Sequence, residues 1–136
     1  MKALLVPFLA MLAACAAPAP APQAPPEPAP APAPGVILAG LGETARLGDV
    51  TVRPIAILED SRCPQDVECV WAGRLRLGAA ISGVAGTSEL TLGQRFALPG
   101  GGAILLISAT PEPWQTPPPG TNPNAAPRFG FRRERE

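Results

Sequence analysis

The stretch RLRLGAAI, residues 74–81, decides the fold class of this chain. Its apolar side chains stand at every second position, and arginine or small residues fill the positions between them. A period of two is typical of a β-strand with one buried face, because successive side chains point to opposite faces of a sheet. The segment therefore predicts a strand rather than a helix. The apolar positions are Leu75, Leu77, Ala79 and Ile81.

The same alternation continues on both sides of this segment. Leu90 and Leu92 alternate with polar neighbours, and so do Val50 and Val52. Pro54 then interrupts the run, which resumes at Ile55 and Ile57 with the opposite parity. A proline inside a strand indicates an edge or a β-bulge, and a bulge reverses the parity.

The remaining strand and turn patterns predict the architecture. Residues 103–109 (AILLISA) are apolar on both parities, as in a central strand covered on both faces, and residues 129–131 (FGF) form a short last strand. The dipeptides at 48–49 and 93–94 begin with Gly and predict two-residue hairpin loops. Short strands at this spacing predict an all-β domain over residues 35–136, a small antiparallel sandwich or barrel.

Composition narrows the function. The chain has 136 residues, a formal net charge of zero and no His. A neutral chain lacks the basic surface that binds nucleic acid. Without imidazole there is no ordinary general base near neutral pH and no Ser-His or Cys-His pair. We therefore expect a non-catalytic protein with no cofactor and no nucleic-acid partner.

The N-terminus carries an export pattern. An apolar run over residues 3–14 is shorter than the roughly 20 residues of a spanning helix and fits a signal peptide. It ends in Leu12-Ala13-Ala14-Cys15, which resembles the lipobox of bacterial lipoproteins. The resemblance implies removal of residues 1–14, acylation of Cys15 and, since Ala16 is not Asp, anchoring at the periplasmic face of the outer membrane. A secreted protein cleaved near the same position is the alternative.

A linker follows the predicted lipidation site and completes a segment from 15 to 34. Of the 19 residues 16–34, 17 are Ala or Pro. Proline prevents helix and sheet from propagating, so the sequence predicts a polyproline-II spacer. Its reach is about 60 Å if fully extended. A proline-rich ligand for a partner domain is the other interpretation, although no basic residue flanks the repeats.

Residues 60–73 (DSRCPQDVECVWAG) form the most specific motif. They resemble a D-S-R-C-P-x4-C-x-W-x-G pattern of small exported bacterial domains, many of them lipoproteins, to which no activity is assigned. The resemblance implies an envelope context and supplies no mechanism.

The two cysteines of this motif predict a disulfide. Once Cys15 is acylated, Cys63 and Cys69 remain as an even pair in an oxidising compartment. Closing so short a loop contributes about 2 kcal/mol in the chain-entropy model. Trp71, two residues further on, is expected to cover the bridge.

Three functional interpretations of the same loop stay open. A redox pair is one, although such pairs are usually C-x-x-C beside a helix. A Ca²⁺ site formed by Asp60, Asp66 and Glu68 is another, because Ca²⁺ takes hard oxygen ligands. The third is a rigid loop that presents side chains to a partner.

Two further segments carry candidate contacts. Residues 111–123 hold six Pro and predict a long extended loop, in which Trp114 either plugs the end of the sandwich or contacts a partner. Residues 128–136 hold four Arg and two Glu, which indicates a strand with a solvated face or, alternatively, a contact with anionic lipid.

These patterns together predict a lipid-anchored, cell-envelope protein that acts as a binding or structural accessory. The membrane through the N-terminal lipid and an envelope protein are the expected partners. The candidate binding residues are Arg62, Trp71 and Trp114. An inhibitor or adhesion module using the loop of Cys63 and Cys69 or that of Trp114 is the first alternative, and a metal-dependent module is the second.

Overall fold

The computed structural model describes residues 35–135. The predicted signal peptide, Cys15 and the linker of residues 16–34 lie outside the described residues. Eight strands and no helix are present in this part of the chain, which accordingly holds no helix able to cross a membrane. The strands are β1 (Val36–Gly40), β2 (Ala45–Leu47), β3 (Val50–Asp60), β4 (Leu75–Ile81), β5 (Thr87–Thr91), β6 (Arg95–Ala97), β7 (Ala103–Thr110) and β8 (Arg128–Glu134).

The strands form two antiparallel sheets of four. One sheet has the order β1-β8-β7-β6 and the other the order β2-β3-β4-β5. The alternation that predicts β4 is confirmed, because its four apolar positions are buried between the sheets. The fold is therefore all-β, a small β-sandwich, as the sequence predicts.

Two aromatic residues stand at the centre of the core. Phe129 and Phe131 of β8 are fully buried, and they meet the buried Leu75 and Leu77 of the opposite sheet in one hydrophobic cluster. Both aromatics point inward because residues two apart on a strand share a face. Among the described residues, this cluster takes side chains from both sheets, so the core lies between them.

Strand β3 shows how a proline is accommodated inside a sheet. β2 pairs with β3 only as far as Val52. Pro54 lies beyond this paired part, so its missing N–H breaks no hydrogen bond between β2 and β3. A register shift between Pro54 and Ala56 marks the predicted bulge. Ile57 then pairs with the buried Leu77, so the register changes parity at the bulge as predicted. Both isoleucines remain partly exposed, Ile55 at 49% and Ile57 at 39%.

Two turns with the same predicted type have different outcomes. Leu47 pairs with Val50, and Gly48 has φ 74°, so the hairpin at 48–49 is confirmed. The hairpin prediction at 93–94 is wrong, because β5 and β6 belong to different sheets. The amide of Gln94 does donate to the carbonyl of Thr91 in a tight turn, but this turn carries the chain across the sandwich. Turn chemistry fixes the local bend and leaves open which strands pair.

The strand directions give the sandwich two distinct ends. Chain entry at Gly35, the hairpin turn at 48–49 and the glycine run 100–102 lie at one end, which we name the entry end. Residues 61–74, the Cys loop, and residues 111–127, the Pro loop, leave the sheets at the opposite end, the loop end. The pairing of β7 with β8 fixes this polarity, since Thr110 faces Arg128 and Ala103 faces Glu134.

Candidate functional site

A disulfide joins Cys63 and Cys69, as predicted, with their Cα atoms 5.9 Å apart. The two cysteines lie beyond the last pair of β3 and β4, outside the core cluster. The bridge therefore closes a small ring at the far end of the Cys loop and does not brace the sandwich itself.

The neck of the Cys loop is closed by backbone contacts. The amide of Ser61 donates to the carbonyl of Arg74 at 2.8 Å, and the amide of Arg74 donates to Oγ of Ser61 at 3.1 Å. Gly73 has φ 66°, and a Cβ on it would overlap the carbonyl of Ser61. The glycine of the motif is thus required by both its left-handed conformation and the close approach of the two strands of the neck.

Arg62 ties the Cys loop to the Pro loop. Its Nε and Nη2 donate to the two carboxylate oxygens of Asp60, each at 2.8 Å. Its Nη1 donates to the carbonyl of Ala109 at 2.9 Å, and Nη2 reaches the carbonyl of Pro111 at 3.2 Å. The side chain is only 13% exposed. Arg62, predicted as a candidate binding residue, holds the two loops together through these contacts, and we call this arrangement the Arg62 clamp.

Asp66 makes the second connection between the two loops. Its Oδ1 and Oδ2 accept from the amides of Gln115 and Thr116, each at 2.8 Å. The amide of Gln65 also donates to the carbonyl of Pro113 at 2.9 Å. The two loops are therefore one connected surface, although about 50 positions separate them in the sequence.

Both aspartates are held ionised by these partners. Hydrogen bonds from the Arg62 guanidinium lower the pKa of Asp60 below its ordinary value. Hydrogen bonds from the amides of Gln115 and Thr116 lower the pKa of Asp66. Each carboxylate is thereby committed to a donor within the protein, which reduces its capacity to act as a ligand or a general base.

The Ca²⁺ interpretation required Asp60, Asp66 and Glu68 to converge. Asp60 faces Arg62, while Asp66 faces the Pro loop. Glu68 is exposed. Over residues 35–135, no group of three or more carboxylate or cysteine side chains is arranged to hold a metal ion.

The tip of the Cys loop presents its apolar side chains to solvent. Val70 is 93% exposed and Trp71 79% exposed. The expectation that Trp71 covers the disulfide is wrong, because a side chain that retains this much exposure packs on little.

Trp114 occupies an intermediate position. It is 36% exposed and does not belong to the core cluster, so it is not a plug over the sandwich. It lines a cleft of about 530 Å³ within the Pro loop, together with prolines that include Pro111, Pro117 and Pro123. The sequence indicates the aromatic residue and the prolines but not that they enclose a cleft.

An ion-pair ladder missed by the sequence interpretation flanks the neck of the loop. The carboxylate of Glu59 accepts from Nε of Arg74 at 2.9 Å and from Nη1 of Arg76 at 3.2 Å. The guanidinium of Arg76 also pairs with Glu89. Hydrogen bonds from the arginines lower the pKa of Glu59 and of Glu89. Glu59 of β3 faces Arg76 of β4, and Glu89 of β5 lies diagonally from Arg76. These opposite charges would have been the signal, but only if the strand register were known.

The loop end thus combines a cross-linked and ion-paired frame with exposed apolar side chains. Comparison with models of protein families, with curated proteins and with solved structures found no match.

Proposed function

We propose that this protein is a non-catalytic binding module of the cell envelope that docks on a partner protein through its loop end. The observation that carries the proposal is the exposure of Val70 and Trp71 at the tip of a constrained loop. Large exposed apolar groups lose favourable burial unless a partner covers them. Tryptophan is also among the residues that contribute most to binding at protein interfaces.

The frame behind the tip supports this role. Three sets of contacts restrict the Cys loop: the disulfide, the Arg62 clamp and the hydrogen bonds of Asp66. A loop that is already ordered loses less conformational entropy when it binds, so more of the contact free energy appears as affinity. A purely structural loop would have no need to hold an indole in solvent.

The charge around the tip specifies the partner. Glu68 is exposed and has no ion pair among residues 35–135, and Glu112 retains 51% side-chain exposure. Acidic groups at the rim of an apolar patch favour a partner with cations around an apolar pocket. The occupant we propose is therefore an envelope protein with a hydrophobic pocket and a basic rim.

Attachment to the membrane is the second part of the proposal. Its support is the Leu12-Ala13-Ala14-Cys15 sequence after a 12-residue apolar run. Several acyl chains on one residue give stable anchoring where a single chain binds only marginally. Intact-mass analysis of the membrane fraction tests it. Chains that begin at acylated Cys15 are expected, and unmodified soluble chains beginning at Ala16 or later would contradict anchoring.

Photo-cross-linking in living cells tests the binding role. A photoreactive amino acid replaces Trp71 in one variant and Ile55 in a control, since Ile55 is an exposed apolar residue of β3 away from the Cys loop. The proposal expects a protein captured from position 71 and not from position 55. Equal capture at both positions would contradict it.

The captured protein is then purified and its affinity measured. Trp71→Ala should weaken binding by about 30-fold, the effect of a typical interface hot spot, while Ile55→Ala leaves it within twofold or so. An unchanged affinity for Trp71→Ala would exclude the Cys loop as the contact. If the partner is an enzyme that loses activity on binding, the module is an inhibitor.

A further inference from the structure

The entry end carries a cleft that the loop-end proposal does not use. Arg46, Arg133 and Arg135 line it, and so does Gly35, where the described chain begins. Its volume is about 510 Å³. The cleft lies beside β1 and β2, which are the edge strands of the two sheets.

The fold brings these arginines together from distant positions. Arg133 lies near the end of β8 and Arg135 just beyond it, and both line the cleft. Arg46 comes from β2, which belongs to the other sheet. Arg133 and Arg135 also line a neighbouring cleft of about 290 Å³ formed by the glycine run 100–102, where backbone approaches without side chains in the way.

The arginines at this end outnumber the carboxylates that pair with them among the described residues. Arg133 pairs with Asp49, which is largely exposed. Within residues 35–135, no carboxylate lies within 4.0 Å of the guanidinium of Arg46 or Arg135. The nearby Glu134 is engaged by Arg95 at 2.9 Å and by Arg132 at 3.5 Å. Among the described residues, only Arg133 of these three arginines is therefore paired with a carboxylate.

The hydrogen-bonding capacity of Arg133 is also incompletely used. Its side chain is only 16% exposed, and its Nε has no hydrogen-bond partner in the described part of the chain. A guanidinium carries five donors in a planar fork that matches the oxygens of phosphate. A cleft with an excess of such groups is suited to an anion of this geometry.

We propose that the cleft of Arg46, Arg133 and Arg135 binds phosphate groups, and that anionic lipid headgroups supply them. The place at which the chain enters the domain favours lipid as the source. Gly35 lines the cleft, and residues 16–34 connect it to Cys15. This choice of source rests on the anchoring part of the proposed function, because a lipid on Cys15 would keep the entry end within the linker's reach of the bilayer.

Vesicle binding tests the proposal on the chain from Ala16 onward, which keeps the linker and the domain but cannot be acylated at Cys15. The probes are vesicles of phosphatidylcholine alone, vesicles containing phosphatidylglycerol, and inorganic phosphate. The double variant Arg46→Gln/Arg135→Gln removes two charges from the cleft. The matched control Arg53→Gln/Arg128→Gln removes two exposed charges elsewhere, so both variants have the same net charge.

The proposal expects binding to the anionic vesicles only. The cleft variant should bind them about 30-fold more weakly, since each arginine near an anionic surface contributes about a factor of five. The control should change by less than about threefold, because its charges face other directions. Melting temperatures within a few degrees of the parent chain show that both variants are folded.

Three results would overturn the proposal. Equal loss in the two variants would show that net charge alone drives binding. Binding of inorganic phosphate without binding of vesicles would reject lipid as the source. Absence of binding to every probe would reject the site. None of these results bears on Trp71 or on acylation, so failure here is distinguishable from failure of the proposed function.

Discussion

Arginine serves opposite purposes at the two ends of the sandwich. At the loop end, Arg62 meets both oxygens of Asp60 and two backbone carbonyls, so its charge is satisfied within the protein. At the entry end, Arg133 pairs with the exposed Asp49, and the two other arginines of the cleft have no carboxylate partner among the described residues. The same residue type is a clamp where its donors are filled and a candidate ligand site where they are not.

The apolar side chains differ between the ends in the reverse sense. The loop end exposes Val70 and Trp71, whereas its charges are largely paired. An exposed side chain indicates a binding surface only when the neighbouring groups are already satisfied within the protein. An interface of apolar character is expected at one end and an electrostatic contact at the other.

The largest effect on stability is expected from a substitution that disrupts the loop end alone. Gly73→Ala places a Cβ against the carbonyl of Ser61 at a positive φ, and we expect a loss of about 3 kcal/mol in the free energy of unfolding. The melting temperature should fall by more than about 10 °C. Gly83→Ala is the control, because Gly83 has a similar φ with open space around it, and only about 1 kcal/mol should be lost. Equal losses would mean that the neck of the Cys loop is not tightly packed.

Removing the disulfide should have the next largest effect. A Cys63→Ala/Cys69→Ala variant loses the closed ring, and we expect a contribution of about 2 kcal/mol to disappear. Thermal unfolding measures this loss, and partner binding should weaken as the tip loses its preorganisation. Binding to anionic vesicles should stay unchanged, since the entry end is remote. Free reaction of both cysteines with a thiol reagent in the folded, unreduced chain would show that the bridge does not form.

Acid should loosen the loop end by a smaller amount. Asp60 and Asp66 have pKa values below those of an unfolded chain, so their stabilisation is present above the unfolded pKa of about 3.9 and is lost as the pH falls through the folded values. We expect the melting temperature to fall with pH below about 4. Asp66→Asn should flatten this dependence, because Asn does not titrate. An identical pH profile for the variant would remove Asp66 from the explanation.

The smallest effect on stability is expected at the entry end. Asp49→Asn removes an exposed partner of Arg133, which should cost less than about 1 kcal/mol. The same change should strengthen binding to anionic vesicles by about fivefold, since it removes the negative charge that is paired with Arg133. Glu43→Gln, which removes a carboxylate paired with Arg128, is the control and should leave vesicle binding unchanged. Weaker binding by the Asp49 variant would contradict an anion site at this end.

Sequence patterns predicted the features that depend on local periodicity and failed where distant segments meet. The alternation of β4, the bulge near Pro54 and the inward pair Phe129 and Phe131 follow from neighbouring residues and are confirmed. The turn at 93–94 was misassigned, because a tight turn has the same chemistry whether it joins strands of one sheet or of two.

The candidate sites required contacts that no local pattern contains. The clamp of Arg62 on Ala109 spans 47 positions, and Asp66 reaches Thr116 across 50. The exposure of Trp71 depends on how the Cys loop packs against the rest of the domain, which no local pattern determines. The arginine cleft joins β2 to the end of β8, so it exists only once the two sheets are packed.

Chain entry at Gly35, opposite the Trp71 tip, governs how an anchored protein would search for its partner. Strand β3 runs the length of the sandwich and has 11 residues, which span about 35 Å. With the reach of about 60 Å that the sequence predicts for residues 16–34, an acylated chain would sweep its tip through a shell about 100 Å deep above the bilayer. Confinement to that shell raises the effective concentration of the tip for a partner in the same membrane. Seating the entry end on lipid headgroups would point the tip outward and reduce the search to two dimensions.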